Sequence, residues 1–463
     1  MLFLLKIAAG FALWWVYTFY YGDRQYADIW KYFDDSKVMH EALKEHPSDY
    51  FRMLTGLDNE RIEKTYYSRM NHWHQQFENN LFNDSHTIIR FNALVRIISM
   101  GNYHIHALIM CILAFIGCCS IYRFLYRYIP EWKKIILFSL FLMPSLVFWT
   151  SGVLKEGLMF LALGLILENS TKKEALLFKN IILTAAGVFI LALTKLYLLI
   201  LLLIPLLVLL FRIIYPDTVR YAWTVMLGLL FITIAGLHIT HSSFDPFRLI
   251  SNKHNDFLNL SIGGTFMYND TAVVYVDAEH HSSILYKDPG ICSVSSNTPV
   301  IYWLHAKGFE DTLRGIHNAD SVRYHIMTDY PKAGSLIHEQ PLKNTPGAVL
   351  AFLPQAIINA LFRPHPFEAR SVLLIPSAFE NMLLYLLIIF AVLFFRRPVQ
   401  KDIFIFLMWF SLSYLAVAGL TTPVLGALVR YKIAVLPFLI CGLLMVTNRS
   451  RLEQKLPLLM RWL

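Results

Sequence analysis

Charge is scarce in this sequence. Only 16% of its 463 residues are Asp, Glu, Lys or Arg, against about 25% in an ordinary soluble chain. Cysteine is also sparse. Cys111, Cys118, Cys119 and Cys441 lie in apolar runs and only Cys292 in a polar stretch, so no disulfide framework is expected. No Cys-x-x-Cys pair or Cys/His cluster has zinc-site spacing, so no metal ligands are assigned. There is no internal repeat and no low-complexity tract, which argues against the repeated halves common in transporters. The formal net charge is +9, but no basic tract or aromatic–basic stripe accompanies it, so no nucleic-acid partner is expected.

What is abundant is apolar sequence in long blocks. Hydrophobic residues make up 56% of the chain and the mean hydropathy is +0.48. A bilayer-spanning helix needs about 20 such residues. Ten spans are predicted, at 2–20, 104–124, 135–150, 153–168, 180–195, 196–214, 221–240, 374–395, 402–420 and 430–447. The first has no small-residue cleavage site after it and is read as an uncleaved span. Basic residues cluster in the turns 123–134, 168–179, 212–220 and 396–402 and in the tail 449–463, with 16 basic against six acidic residues. With both termini inside, all five lie on one side, assigned as cytoplasmic. The apolar stretch 346–362 contains Pro354, Gln355 and Asn359 and is read as an interfacial or re-entrant helix, because counting it as a span would reverse Arg396 and Arg397.

The expected fold class is therefore an all-α polytopic membrane protein. It has about ten transmembrane helices and large extracytoplasmic loops carrying amphipathic helices and a small mixed insert. Three regions are expected: 1–240, membrane-embedded with a first outer loop at 21–103; an extracytoplasmic segment at 241–371; and a second membrane region at 372–463. Helices at 60–80 and 86–100 are expected to lie on the membrane surface. A strand-like patch runs from Thr271 to Val276, and 262–338 reads as an insert that recognises an acceptor glycan or a partner protein.

Several ionisable residues fall at span ends, where they are costly and commonly functional. Asp23 and Asp28 follow the first span, and each can act as a proton acceptor or as a solvated loop acid. Lys155 and Glu156 open the fourth span. Lys155 is placed to meet a phosphate at the lipid surface, or to snorkel to water as an ion pair. Lys195 lies alone between two apolar runs, as a second phosphate contact or an anchor. Arg430, beside Tyr431, opens the last span from the outer side, against the positive-inside trend. Two prolines, Pro364 and Pro366, stiffen the segment carrying Arg363, His365 and Glu368. Glu380 and Asn381 lie within an apolar run, where Glu380 is expected to face the bundle interior.

Four stretches carry a family resemblance: Gly22-Asp23 through Asp28, Phe148-Trp149-Thr150-Ser151-Gly152 with Lys155-Glu156, Asn359-Ala360-Leu361-Phe362-Arg363-Pro364, and Arg430-Tyr431-Lys432 with Pro437. With the span count and loop placement, they make the chain resemble bacterial GT-C membrane glycosyltransferases and polysaccharide-polymerase-like proteins. The resemblance implies a polyprenyl-phosphate- or polyprenyl-diphosphate-linked sugar donor, a glycan or lipid-linked acceptor and surrounding membrane lipid. It also implies an inverting displacement at the outer face of the bacterial cytoplasmic membrane. Asp23 is the first choice of general base and Asp28 the second. Lys155, Lys195, Arg363 and Arg430 are candidate phosphate ligands, supported by Glu156, His365, Glu368 and Tyr431. No cofactor is required by the sequence, and a divalent cation, Mg or Mn, is compatible with the chemistry.

Overall fold

The computed structural model describes residues 1–21, 24, 27–70, 72–73, 84–172, 174–214, 219–241, 244–269, 271–288, 291–304, 312–318, 322–330, 332–369 and 371–457. The backbone divides into two units. The first comprises Met1–Thr240, Ile357–Val417 and Val429–Leu463, and the second His241–Ala356 and Ala418–Leu428. The chain is mostly helical.

Among the described residues, four helical stretches are long and apolar enough to cross a bilayer: Leu2–Tyr20, Tyr103–Tyr126, Ile375–Leu393 and Lys401–Thr421. A fifth is formed if Leu425–Lys432 and Leu436–Met445, bent by 60° between them, count as one broken span. Phe178–Thr194, Leu196–Phe211, Trp223–Ile239 and Pro346–Phe362 are apolar but shorter.

The helix Lys155–Ser170 is the hub of the first unit, and nearly every one of its residues is buried. Glycines let its neighbours approach closely. A β-carbon at Gly117 would lie 2.3 Å from the Phe160 carbonyl oxygen, and one at Gly164 would lie 2.5 Å from the Gly117 carbonyl oxygen. The obstructing atoms are backbone and cannot rotate away, so small residues are required where these two helices touch. Gly117→Val is expected to lower stability by about 1–3 kcal/mol, the usual cost of overpacking. Gly228→Val, with nothing within 4 Å of the added carbon, is expected to leave the unfolding midpoint in detergent unchanged. Equal midpoints for the two variants would refute this packing argument.

The stretch before the hub helix departs from a simple hairpin of two spans. Lys133–Phe141 and Pro144–Trp149 are helical, and then the backbone leaves the helix over 150–154 while remaining buried. This irregular stretch lies along the first helix. The Lys6 Nζ donates to Thr150 Oγ1 at 2.5 Å, and the Cys111 thiol lies 3.2 Å from the Ser151 carbonyl. A β-carbon at Gly10 would meet that same carbonyl at 2.8 Å. Irregular backbone inside an apolar bundle persists only where protein groups take up its polar atoms, and these contacts supply some of them.

Charged contacts gather at both ends of Lys155–Ser170, about 20 Å apart at 1.5 Å per residue. At its C-terminal end Arg123 grips Glu168 with two bonds of 2.7 and 2.8 Å. Arg127 reaches the Thr171 carbonyl at 3.1 Å. Glu131, from the turn after Tyr103–Tyr126, accepts from Arg396 at 3.0 Å and offers its carbonyl to Arg449. The turns 123–134, 168–179 and 396–402 and the tail thus meet one another.

The first loop is folded rather than laid out as separate surface helices. Asp28–Glu45, Pro47–Thr55, Glu60–Thr65 and Ser85–Ser99 are helical. They share a core of Trp30, Tyr32, Met39, Tyr50, Tyr67 and Ile88, continuous with Leu13, Met110 and Leu154 of the bundle. The expected helix at 60–80 is α-helical only over Glu60–Thr65, with a 3-10 turn at Tyr67–Arg69, and 71 and 74–80 lie outside the described residues.

The second unit corrects the all-α expectation. Helix Pro246–Ile262 is capped by Asp245, whose Oδ1 accepts from Phe247 N at 3.0 Å. A seven-stranded antiparallel half-barrel follows: β1 (Gly264–Tyr268), β2 (Ala272–Asp277), β3 (Ile284–Asp288), β4 (Ile291–Val294), β5 (Thr298–Leu304), β6 (Thr312–His317) and β7 (Tyr324–Tyr330), in the order β3-β4-β7-β1-β2-β5-β6. Asn269 closes the β1–β2 turn by accepting from Thr271 N and Ala272 N at 3.0 and 2.9 Å, a local bond that favours Asn at turns. Met267, Val274, Val276, Cys292, Val294 and Val300 fill the interior. Cys292, expected in a polar loop, is a buried strand residue, and all five cysteines are free. β2 was legible because Ala272–Val276 is a short run of mostly β-branched and aromatic residues, buried throughout. Strands such as Ile291–Val294 are too short for a period-two signal.

Candidate functional site

The N-terminal end of the hub helix carries the strongest electrostatic feature of the first unit. Leu154 is extended, and the helix begins at Lys155 and Glu156. Glu156 is the centre of the cluster. Its two carboxylate oxygens accept from Arg430 Nε at 2.8 Å and from Nη2 at 3.0 Å. This is the paired fork geometry in which Arg binds carboxylate most strongly. Arg430 Nη1 donates at 2.5 Å to Oδ2 of Asp28, which opens helix Asp28–Glu45. The Arg430 guanidinium carbon lies 5.6 Å from the Trp149 ring centroid.

Two lysines extend the cluster. Lys195, just past the end of Phe178–Thr194, places Nζ 3.8 Å from Glu156 Oε1 and 4.5 Å from the Tyr431 ring centroid. Its side chain is 4% exposed, and among the described residues its ammonium makes no hydrogen bond. Lys155 donates to Asp84 Oδ1 at 2.5 Å and lies 5.5 Å from the Tyr32 ring centroid. Three carboxylates thus face three cations. Exposure divides the carboxylates. The Glu156 side chain is 1% exposed, whereas Asp84 is 28% and Asp28 36% exposed.

Burial alone would raise the pKa of Asp28. The charges of Arg430 and then Lys31, with the Arg430 hydrogen bond, outweigh that and hold the carboxyl well below the usual carboxylate range. An acid so held is a weak proton acceptor while it stays paired.

Of the residues singled out from sequence, Asp28, Lys155, Glu156, Lys195, Arg430 and Tyr431 come together here. Asp23 lies outside the described residues. Arg363 bonds instead to Glu368, at 2.9 Å from Nε to Oε1. Glu368 is held below its ordinary pKa chiefly by that bond, and it also accepts from His365 N at 3.0 Å. His365 Nδ1 lies 3.2 Å from the Tyr385 hydroxyl. A further buried polar group joins the helices nearby in sequence. Lys432 Nζ donates to Asn381 Oδ1 and, at 3.3 Å, to the Leu361 carbonyl. Asn381 Nδ2 in turn donates to the carbonyls of Phe362 and Pro364, at 3.2 and 3.0 Å. Glu380 faces the bundle interior and accepts from Ser145 N at 2.6 Å and from its hydroxyl, at the positive end of helix Pro144–Trp149.

Asp84 was missed from sequence. Asn-Asp-Ser before an apolar periodic run is a helix-start signal, and Asp84 does precede Ser85–Ser99. Its pairing with Lys155, 71 residues away, leaves no local trace. Among the described residues, no three His, Cys, Asp or Glu side chains are grouped to hold a metal ion.

No family model, curated protein or solved structure shows significant similarity to this chain.

Proposed function

We propose that this protein is a GT-C-like membrane glycosyltransferase. It takes a sugar from a polyprenyl-phosphate or polyprenyl-diphosphate donor at the outer face of the bacterial cytoplasmic membrane, in the assembly of a cell-surface glycan. In this reading the bundle has about ten spans, with both termini in the cytoplasm. The observation that carries it is the gathering of Lys195 and Arg430 around Glu156, with Lys155 paired to Asp84 at the same helix end and Asp28 at the solvent side. Basic groups in a desolvated site stabilise a departing phosphate, and a neighbouring carboxylate accepts the proton of the attacking hydroxyl. Asp28 takes the role of base, with Asp23 the other candidate. Arg363, with His365 and Glu368 beside it, is assigned to the donor's phosphate path. A single-sugar transferase and a repeat-unit polymerase or ligase share this chemistry. A divalent cation remains compatible with it.

The test is turnover of purified protein in lipid, using radiolabelled lipid-linked sugars extracted from the host. Asp28→Asn is expected to reduce transfer by about 10²–10⁴-fold, the usual contribution of a general base. Asp23→Asn separates the two candidates. Wild-type rates in both variants would remove these acids from the mechanism.

A transporter reading draws on two features, the unwound stretch 150–154 and the 60° break before Leu436. Broken membrane helices often mark transport sites. Movement of a labelled lipid-linked glycan across sealed vesicles, without transfer of its sugar, would favour it.

A further inference from the structure

Arg430 and Lys155 each carry a carboxylate that the solvent can reach. Arg430 uses Nε and Nη2 on Glu156 and turns Nη1 to Asp28. Lys155 turns its ammonium to Asp84. The inner partner is fixed. Glu156 is 1% exposed, held by two parallel bonds and further attracted by Lys195. Taking one charge out of such a buried set leaves the others uncompensated. The outer partners differ, because Asp28 and Asp84 are about a third exposed while Lys155 and Arg430 are nearly buried, so water competes for the aspartate oxygens as it does not for those of Glu156. A phosphate offers the same N–H donors a similar anionic oxygen geometry.

Lys195 is a separate observation pointing to the same ligand. Its ammonium is buried beside Glu156, and among the described residues it makes no hydrogen bond. Three donors in a desolvated site call for acceptor oxygens, and 3.8 Å is too long for Glu156 to supply one.

We infer that Asp28 and Asp84 are exchangeable counter-ions of a phosphate site formed by Arg430, Lys155 and Lys195. An entering phosphoryl group displaces the two aspartates, and the displacement releases a carboxylate next to the bound donor. This rests on the glycosyltransferase reading and adds a coupling to it. The base is held inactive by the same cations that bind the donor's phosphate, and donor binding activates it. Asp84 thereby enters the site as a gate on Lys155. Glu156 stays in place and keeps the cations oriented.

The coupling predicts an inversion that an ordinary ligand role does not. Removing a counter-ion should tighten phosphate binding even where it abolishes turnover. The experiment measures binding of the purified protein to vesicles doped with polyisoprenyl phosphate, with polyisoprenol vesicles and free inorganic phosphate as parallel arms. Asp28→Asn and Asp84→Asn are each expected to bind the phosphate vesicles about five-fold more tightly than wild type, and Arg430→Gln more weakly. Tightening with inorganic phosphate as well assigns the effect to the phosphoryl group, and tightening with vesicles alone assigns it to the lipid-linked headgroup. Either supports the exchange. Wild-type binding that weakens or stays level in both aspartate variants would overturn the exchange and leave the glycosyltransferase reading standing. Wild type and all variants failing to distinguish phosphate from polyisoprenol would overturn both.

A second measurement needs no substitution. A hydrophobic carbodiimide should label Asp28 and Asp84 of the wild type more heavily once polyisoprenyl phosphate is bound, as read by peptide mass spectrometry. Unchanged or reduced labelling on binding would count against the exchange.

Discussion

Glu156→Ala is expected to be the most destabilising single substitution in the first unit. It removes the carboxylate that accepts two bonds from Arg430 and faces Lys195, leaving two buried cations with one outer carboxylate between them. Breaking a buried ion pair from one side costs about 3–5 kcal/mol, out of the 5–15 kcal/mol that stabilises an ordinary domain. Thermal unfolding in detergent, or the fraction of monodisperse protein after purification, measures it. Glu156→Gln keeps the shape and one acceptor oxygen and should fall between alanine and wild type. The double variant Glu156→Leu with Arg430→Met removes both charged partners and should recover part of the loss, since an apolar pair can replace a buried salt bridge. A wild-type midpoint for Glu156→Ala would mean that this charge cluster contributes nothing to the fold.

Arg430→Lys should have the largest effect on activity relative to its effect on folding. One guanidinium joins Glu156 of the hub helix to Asp28 of the first loop through three nitrogen atoms. A lysine keeps the charge but has one nitrogen and no planar fork, so it cannot hold both carboxylates in this geometry. The expected loss in turnover is about 10²–10³-fold, comparable to removing one preorganised donor from a transition-state site, with a much smaller change in unfolding midpoint. Transfer at the wild-type rate in Arg430→Lys would show that the fork geometry is unnecessary to the reaction.

The sequence made some of this legible and hid the rest for physical reasons. Arg430 stood out because a basic residue there opposes the positive-inside trend, and it proves to be the most connected cation of the cluster. Glu156 was read as a supporting partner of Lys155. In the structure the two adjacent residues face different partners, Lys155 towards Asp84 and Glu156 towards Arg430, because consecutive residues on a helix point about 100° apart. Arg363 looked equivalent to Arg430 by composition, yet Glu368 five residues on holds it in a local pair. Apolar runs revealed the membrane character. They placed a tight turn at 151–152 between two spans, whereas the structure has irregular backbone over 150–154 that is buried throughout, and hydropathy does not distinguish an exposed turn from a buried one. The sheet was mostly invisible because its strands are short and mixed in polarity, whereas the boundaries of Pro346–Phe362 followed directly from its apolar run.

The contact between Lys6 and Thr150 sets an order of events during biogenesis. Lys6 is 5% exposed and lies in the first membrane helix, and the hydroxyl it bonds to is 144 residues further along the chain. Until the ribosome has delivered that hydroxyl, the first helix must enter the bilayer with an unsatisfied ammonium, which costs about 2.5–3.5 kcal/mol near the membrane centre and less close to its edge. The helix is therefore expected to stay near the interface until then, with the lysine reaching towards lipid headgroups. Its final depth is expected only after the irregular stretch 150–154 has been synthesised.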